Sequence, residues 1–348
     1  NIANKSKKAK DTNIMIYNYE LMMGAYISAD IIDIDTVIIH INKQLTLWKN
    51  NICIKYVTCD NFHGKCLGIH VKCYFSTFVA VYSEFCWATY IYDTELNLLQ
   101  ELNHNSTVNV VKWSRCGKLA IGLRNGDVEI WEMKDRKFCC IKKELQFSPD
   151  KDMICEFAWS PTGLLAINSL SSTTIWNNNL ECIKKIHVIS CYNCVPIWIS
   201  DTELSHSDDH KSMALYDINT DTCRKFCKLR GYWTSSLFIA NGIICVSYYG
   251  TVLLIIKNDN TAEIFVVVSI SEEVRDLIWS PKGNLIVVTS HAVTTYNIPK
   301  ISLLKLIQFG FVTENTNWSN FLKKEPYDPR LFLFVADFFH DPNLFDYL

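Results

Sequence analysis

The sequence predicts an all-β chain, a seven-bladed β-propeller followed by a short, partly helical C-terminal tail. Three observations lead there. A unit built on Trp, Ser and Gly recurs with a period near 40 residues. The apolar runs inside each unit, such as Val252–Ile256 and Ile264–Val268, have the length of strands. The composition, 49% hydrophobic and 20% charged over 348 residues, is that of a chain able to bury a large core without disulfides or metal.

The repeat is clearest in three segments. Val108-Asn-Val-Val-Lys-Trp113-Ser-Arg-Cys-Gly117 leads to Asn125-Gly126-Asp127-Val-Glu-Ile-Trp131. Cys155-Glu-Phe-Ala-Trp159-Ser-Pro161-Thr-Gly163 leads to Thr174-Ile-Trp176, and Val274-Arg-Asp-Leu-Ile-Trp279-Ser-Pro281-Lys-Gly283 leads to Thr294-Thr-Tyr296. Each reads as an apolar strand ending in Trp-Ser, a tight turn, a second strand, a loop, and a third strand ending in an aromatic. Weaker copies start at Trp198, reaching Tyr216, and at Phe238, reaching Ile255. Two more start at Phe75, reaching Tyr92, and at Ile32, reaching Trp48. The anchors at 32, 75, 113, 159, 198, 238 and 279 lie 43, 38, 46, 39, 40 and 41 residues apart. Fourth strands such as Phe138-Cys-Cys-Ile-Lys-Lys-Glu-Leu and Cys223-Arg-Lys-Phe-Cys-Lys-Leu mix apolar and charged residues, as an outer edge strand does. A pair of stacked β-sandwiches is the alternative fold, and the regular Trp-to-aromatic interval argues against it.

This reading divides the chain into a basic N-terminus (1–13), a propeller (14–313) and a tail (314–348). The segment Asn1–Lys10 carries four Lys with no apolar stretch behind it, which predicts a solvated terminus rather than a secretory signal. No run of about 18 apolar residues suggests a membrane-spanning helix. Fifteen Cys, many within apolar strands, suit a reducing compartment and predict a cytoplasmic or nuclear protein. With 34 Lys plus Arg against 36 Asp plus Glu, the net charge of -2 gives no support to duplex binding. A nucleic-acid face would have to come from Lys184, Lys185, Arg224, Lys225, Lys228 and Arg230, which solvated edge strands explain equally well.

The Trp-Ser-Pro-x-Gly-x-Leu-Ala-Ile pattern, followed by Asn-Gly-x-Val-x-Ile-Trp, resembles the WD-repeat family over roughly residues 25–313. No Gly-His pair opens a repeat, and Asn125 stands where members usually carry Asp. The resemblance therefore implies that packing through Trp113, Trp131, Trp159, Trp176 and Trp279, rather than the family's buried hydrogen-bond network, holds the blades. It also implies that the N-terminal segment Ile14–Tyr26 completes the last blade, with Ile301–Val312 competing for the place. The blades look like the propeller subunits of RNA polymerase III factor IIIC. They are also similar to activators of the anaphase-promoting complex, although the Asp-Arg-Tyr box and C-terminal Ile-Arg of those activators are missing here.

Enzyme signatures are lacking: there is no nucleophile elbow, phosphate loop or zinc helix, so no catalytic residue, cofactor or metal is expected. Cys182, His187, Cys191 and Cys194 have some of the spacing of a zinc site, but the strand pattern sends them to opposite faces. His206-Ser-Asp-Asp-His210 reads as a polar hairpin tip. In the tail, Asp328-Pro329 starts a helix whose Leu331, Phe334, Val335, Phe338 and Phe339 share one face, with Leu344-Phe345 beyond it. Phe334, Phe338 and Phe345 are the candidate partner-binding residues. The expected function is a non-enzymatic scaffold that binds other proteins of a multi-subunit assembly. The alternatives are a transcription or ubiquitin-ligase propeller subunit, and an enzyme or ligand binder using the central channel.

Overall fold

The structure, a computed structural model, describes residues 16–18, 27–32, 36–41, 44–49, 52–59, 69–74, 77–83, 86–144, 152–187, 196–208, 212–228, 233–240, 243–248, 251–257, 262–269, 274–279, 285–289 and 292–296. The proposed terminus 1–13, the tail 314–348 with its helix, and the competing segment Ile301–Val312 lie outside them.

The described strands form seven four-stranded antiparallel sheets. A short first strand, β1 (Ile16–Asn18), is followed by sheet 1: β2 (Ser28–Ile31), β3 (Thr36–Ile41), β4 (Gln44–Lys49) and β5 (Ile52–Thr58). Sheet 2 is β6 (Ile69–Tyr74), β7 (Phe78–Ser83), β8 (Ala88–Asp93) and β9 (Leu98–Asn103). Sheet 3 is β10 (Val108–Trp113), β11 (Leu119–Leu123), β12 (Val128–Lys134) and β13 (Lys137–Glu144). Sheet 4 is β14 (Ile154–Trp159), β15 (Leu165–Ser169), β16 (Ser172–Trp176) and β17 (Cys182–His187). Sheet 5 is β18 (Ile197–Trp198), β19 (Glu203–Asp208), β20 (Ser212–Asp217) and β21 (Thr222–Lys228). Sheet 6 is β22 (Trp233–Ala240), β23 (Ile243–Tyr248), β24 (Thr251–Lys257) and β25 (Ala262–Ser269). Sheet 7 combines β26 (Val274–Trp279), β27 (Leu285–Thr289) and β28 (Ala292–Tyr296) with β1 on its outer edge.

The first strand of each sheet lies beside the first strand of the next, and β26 lies beside β2, as propeller blades pack. Among the described residues, apolar side chains fill the joints from sheet 7 through sheet 1 to sheet 5. Between sheets 7 and 1, Ile27, Ala29 and Ile39 meet Ile286, Val288 and Val293. Between sheets 3 and 4, Val110, Val128 and Ile130 meet Phe157, Leu165 and Ile167. Strand β1 pairs with β28 through Ile16↔Thr294, Tyr17↔Val293 and Asn18↔Ala292, so the N-terminal segment does complete the sheet at the C-terminal end.

The register identifies the equivalent residues. In every sheet one first-strand residue pairs with a second-strand residue that pairs in turn with the third-strand aromatic or its substitute, as in Trp113↔Leu119↔Trp131 and Trp159↔Leu165↔Trp176. By this rule the anchors are Ile31, Cys73, Trp113, Trp159, Trp198, Phe238 and Trp279. The first two sequence-derived anchors, Ile32 and Phe75, are thus displaced by one and two residues. Without a Trp, the apolar runs there fix the strand but not its register. All seven third-strand positions, Trp48, Tyr92, Trp131, Trp176, Tyr216, Ile255 and Tyr296, stand where the intervals put them.

The anchor tryptophans do more than pack. The Trp113 indole donates to Lys72 O (3.0 Å), Trp159 to Lys112 O (3.3 Å) and Trp198 to Ala158 O (2.9 Å), each reaching the first strand of the preceding sheet. A close approach also fixes Gly122 in β11. A Cβ there would lie 2.7 Å from Ile154 Cγ2 and 2.8 Å from Val110 Cγ1.

Trp198→Phe keeps an aromatic ring but leaves the Ala158 carbonyl without its donor, so thermal or urea unfolding should show a loss of about 1–3 kcal/mol. Gly122→Ala should cost about 1–3 kcal/mol by overpacking the joint between sheets 3 and 4, checked by the urea midpoint.

Candidate functional site

The channel is where a propeller enzyme or ligand binder would gather acidic groups, and the first strands do bring charges together there. Asp30, Lys72 and Lys112 each stand one residue before their anchor, and Glu156 and Asp276 stand three before theirs. A two-residue period puts both positions on one strand face. Lys72 Nζ lies 2.6 Å from Asp276 Oδ2, joining sheet 2 to sheet 7 across sheet 1, and Lys112 Nζ lies 3.8 Å from Glu156 Oε1. The Asp30 carboxylate accepts the N–H of Ile31 (2.8 Å) and of Cys73 (2.7 Å).

Burial raises the Asp30 pKa above the usual carboxylate range, against the pull of Lys72 and the two N–H groups. At Asp276 burial acts the same way, but the Lys72 ammonium outweighs it and holds the carboxyl below its ordinary value. Burial would lower the Lys72 pKa, yet Asp276 and Asp30 together raise it well above the lysine value. The three carboxylates are thus engaged by two lysines and by backbone N–H groups, contacts that tie the first strands together.

A second constellation lies under sheet 3. His104, between β9 and β10, sets Nδ1 2.8 Å from Glu129 Oε2 and Nε2 3.1 Å from Thr89 Oγ1. Glu129 also accepts from the Trp131 indole (3.1 Å) and from Lys143 Nζ (2.8 Å). A carboxylate only accepts, so Nδ1 is the donor. Acid, imidazole and hydroxyl stand in line as in a hydrolase triad, but the His104 and Glu129 side chains are 0% and 2% exposed and Thr89 is buried. Nearby, buried Asp127 accepts from Asn105 (2.8 Å) and Asn125 (2.9 Å) across the turn at Gly126, whose φ is 86°. This corrects the expectation that packing alone holds the blades: sheet 3 has a buried polar network. Asn103-His104 takes the place of the Gly-His pair, and Asp127 stands two residues after Asn125. Reading His104 by its position just ahead of β10 would have revealed it.

A rim motif was also missed. Cys53-Ile54-Lys55, Cys140-Ile141-Lys142 and Cys182-Ile183-Lys184 occupy one register, with each Cys opposite a third-strand Trp and each Ile in a bulge. The three thiols donate to the carbonyl two residues on, at 3.6, 3.2 and 3.6 Å. The lysines reach into the next sheet: Lys55 to Glu95 O, Lys142 over the Trp176 ring at 5.8 Å, and Lys184 to Asp221 Oδ2 at 2.5 Å. Sheet 2 carries Leu98-Leu99-Gln100 in the same place, and Gln100 exchanges two hydrogen bonds with the Phe138 backbone, at 2.9 and 2.7 Å.

Of the basic residues considered for nucleic acid, Lys184 pairs with Asp221, and Arg224 pairs with Glu203 at 2.7 Å. Lys185 and Lys225 are exposed. The Lys228 side chain and all of Arg230 are outside the described residues. Cys182 lies exposed on β17, while Cys191 and Cys194 are outside the described residues, as are Phe334, Phe338 and Phe345. Among the described residues no group of three or more His, Cys, Asp or Glu could hold a metal ion. No helix of the described residues is long and apolar enough to cross a membrane.

Residues 70–194 match the family described as eukaryotic translation initiation factor eIF2A. The chain is also similar to one in the crystal structure of the mitotic checkpoint complex, with a TM-score of 0.66 at 15% identity, over 84% of this chain and 95% of that one. At that identity the likeness shows the fold, an all-β, WD-repeat-like propeller. No curated protein matches.

The hydrogen bonds from His104 and Lys143 outweigh burial and hold the Glu129 carboxyl down at about 2. A carboxyl depressed in the folded state stabilises above its unfolded pKa, so about 3 kcal/mol present at neutral pH should be lost as pH falls from about 4.5 toward 2. Glu129→Gln should flatten that stretch of the stability curve, as measured by urea unfolding at successive pH values.

Proposed function

We propose that this chain is a non-enzymatic scaffold whose seven sheets are the blades of one closed WD-repeat-like ring, serving as a subunit of a multi-protein assembly. The observation that carries the reading is the outer strand of sheet 1. In β5 Ile52, Ile54 and Tyr56 are 66%, 54% and 65% exposed, and Lys55 is the strand's single charge. The outer strands β13, β17 and β21 are richer in Lys and Arg, the usual protection of a free edge. Exposed Leu98 and Leu99 on β9 extend the apolar rim into sheet 2. The paired charges of the channel favour a structural centre over a catalytic one, and the Lys and Arg pairings favour protein partners over nucleic acid. The likeness to a chain solved within a multi-protein complex supports the same reading. The match of residues 70–194 favours a second one, a scaffold within translation initiation. The cytoplasm or nucleus suits either. Phe334, Phe338 and Phe345 form a second proposed docking element.

Affinity purification with mass spectrometry should recover a stable set of partners with the full chain. Losing that set with Ile52→Ser/Ile54→Ser/Tyr56→Ser assigns it to the rim, and losing it in a chain ending at Thr313 assigns it to residues 314–348. Recovering no protein with any version would refute the scaffold.

A further inference from the structure

Neighbouring sheets of this ring are not all joined by the same chemistry. Sheets 3, 4 and 5 each send an anchor indole back to a first-strand carbonyl of the sheet before. Sheets 1, 2 and 6 hold Ile31, Cys73 and Phe238 at that register, which have no indole to offer. Two of the joints concerned, 7–1 and 1–2, are spanned by the Lys72–Asp276 pair and by the Asp30 carboxylate on the Cys73 N–H. Ser28 Oγ adds a bond from the Val71 N–H at 3.1 Å, again from sheet 2 to sheet 1.

We propose that Asp276, Lys72 and Asp30 form an electrostatic clasp that closes the ring at its seam, and that the ring opens there first when the clasp is weakened. Lys72 is suited to this because one side chain crosses two joints. Its reach from sheet 2 to sheet 7 holds sheet 1 between them, while each indole stitches one joint only. The charged groups around the clasp are Lys112, which attracts Asp276, and Glu156, which pairs with Lys112; Tyr82 borders Lys72. The Lys72 and Asp276 side chains are 21% and 30% exposed, so salt reaches this joint. An indole–carbonyl bond carries no net charge for salt to screen. Joints 3–4 and 4–5 also carry ion pairs, Lys112–Glu156 and Lys184–Asp221, but each keeps its indole–carbonyl bond in salt, so the seam is the described joint that depends most on charge.

The test is hydrogen exchange by mass spectrometry on the full chain and its Lys72→Met, Asp276→Asn and Lys72→Arg variants. Peptides from β2 and β26–β28 should exchange about tenfold faster in the Met and Asn variants, with β10–β17 unchanged and Lys72→Arg near the parent rate. Unchanged seam protection, or a rise of equal size in every sheet, overturns the clasp. If the neutral variants do not fold, the parent chain is compared in low salt and on the order of 1 M salt. The largest rise in exchange is then expected at the seam, and an equal rise in every sheet, or equal exchange in both, overturns it.

Discussion

A four-stranded sheet whose two faces are both apolar has to be covered on both, and this requirement governs the whole structure. In sheet 2 the residues on one face pack against sheet 1, and Ala80, Tyr82 and Ile91 on the other pack against sheet 3. A sheet of this kind cannot end a stack without exposing a face, so the stack returns on itself and β26 lies beside β2. The joints between sheets, more than the sheets themselves, are then where sequence decides stability. The joints whose side chains are described combine apolar packing with a few directional bonds that set how neighbouring sheets align.

What could be read from the sequence follows from which of these features leave a pattern. The third-strand aromatics Trp131, Trp176 and Tyr296 were legible because they follow Trp-Ser at 17 or 18 residues, and a period-2 strand tolerates little slippage around so large a side chain. Ile32 and Phe75 were misplaced because runs such as Ile31-Ile32 satisfy several registers. The polar network under sheet 3 stayed hidden because its members are far apart in the chain: Thr89, His104, Glu129 and Lys143 belong to two sheets. The channel pair Lys72–Asp276 is separated by 204 positions and has no local signature. The Cys-Ile-Lys tripeptide is visible in the sequence, but its meaning needs the bulge that turns its lysine toward the next sheet.

Polar groups in this ring therefore serve alignment. His104 has the neighbours of a catalytic imidazole, but its side chain is fully buried. Glu129 binds the indole of its own strand, the imidazole of the preceding loop and the ammonium of its outer strand, so one carboxylate ties together three parts of the fold. The channel charges work alike between sheets. The rim is different: on β5 apolar side chains face water.

The stitching also has a direction. Lys55, Gln100, Lys142 and Lys184 reach forward along the rim, while Trp113, Trp159 and Trp198 reach backward near the axis. Sheets 3 and 4 so carry both of two unlike fasteners, one for the predecessor and one for the successor. Copies of similar shape could otherwise associate in the wrong order, or with the same copy from a second molecule, during synthesis. A fastener whose halves differ at its two ends leaves such mispaired assemblies with unmatched donors and charges, so sequential order is enforced by what wrong neighbours lack.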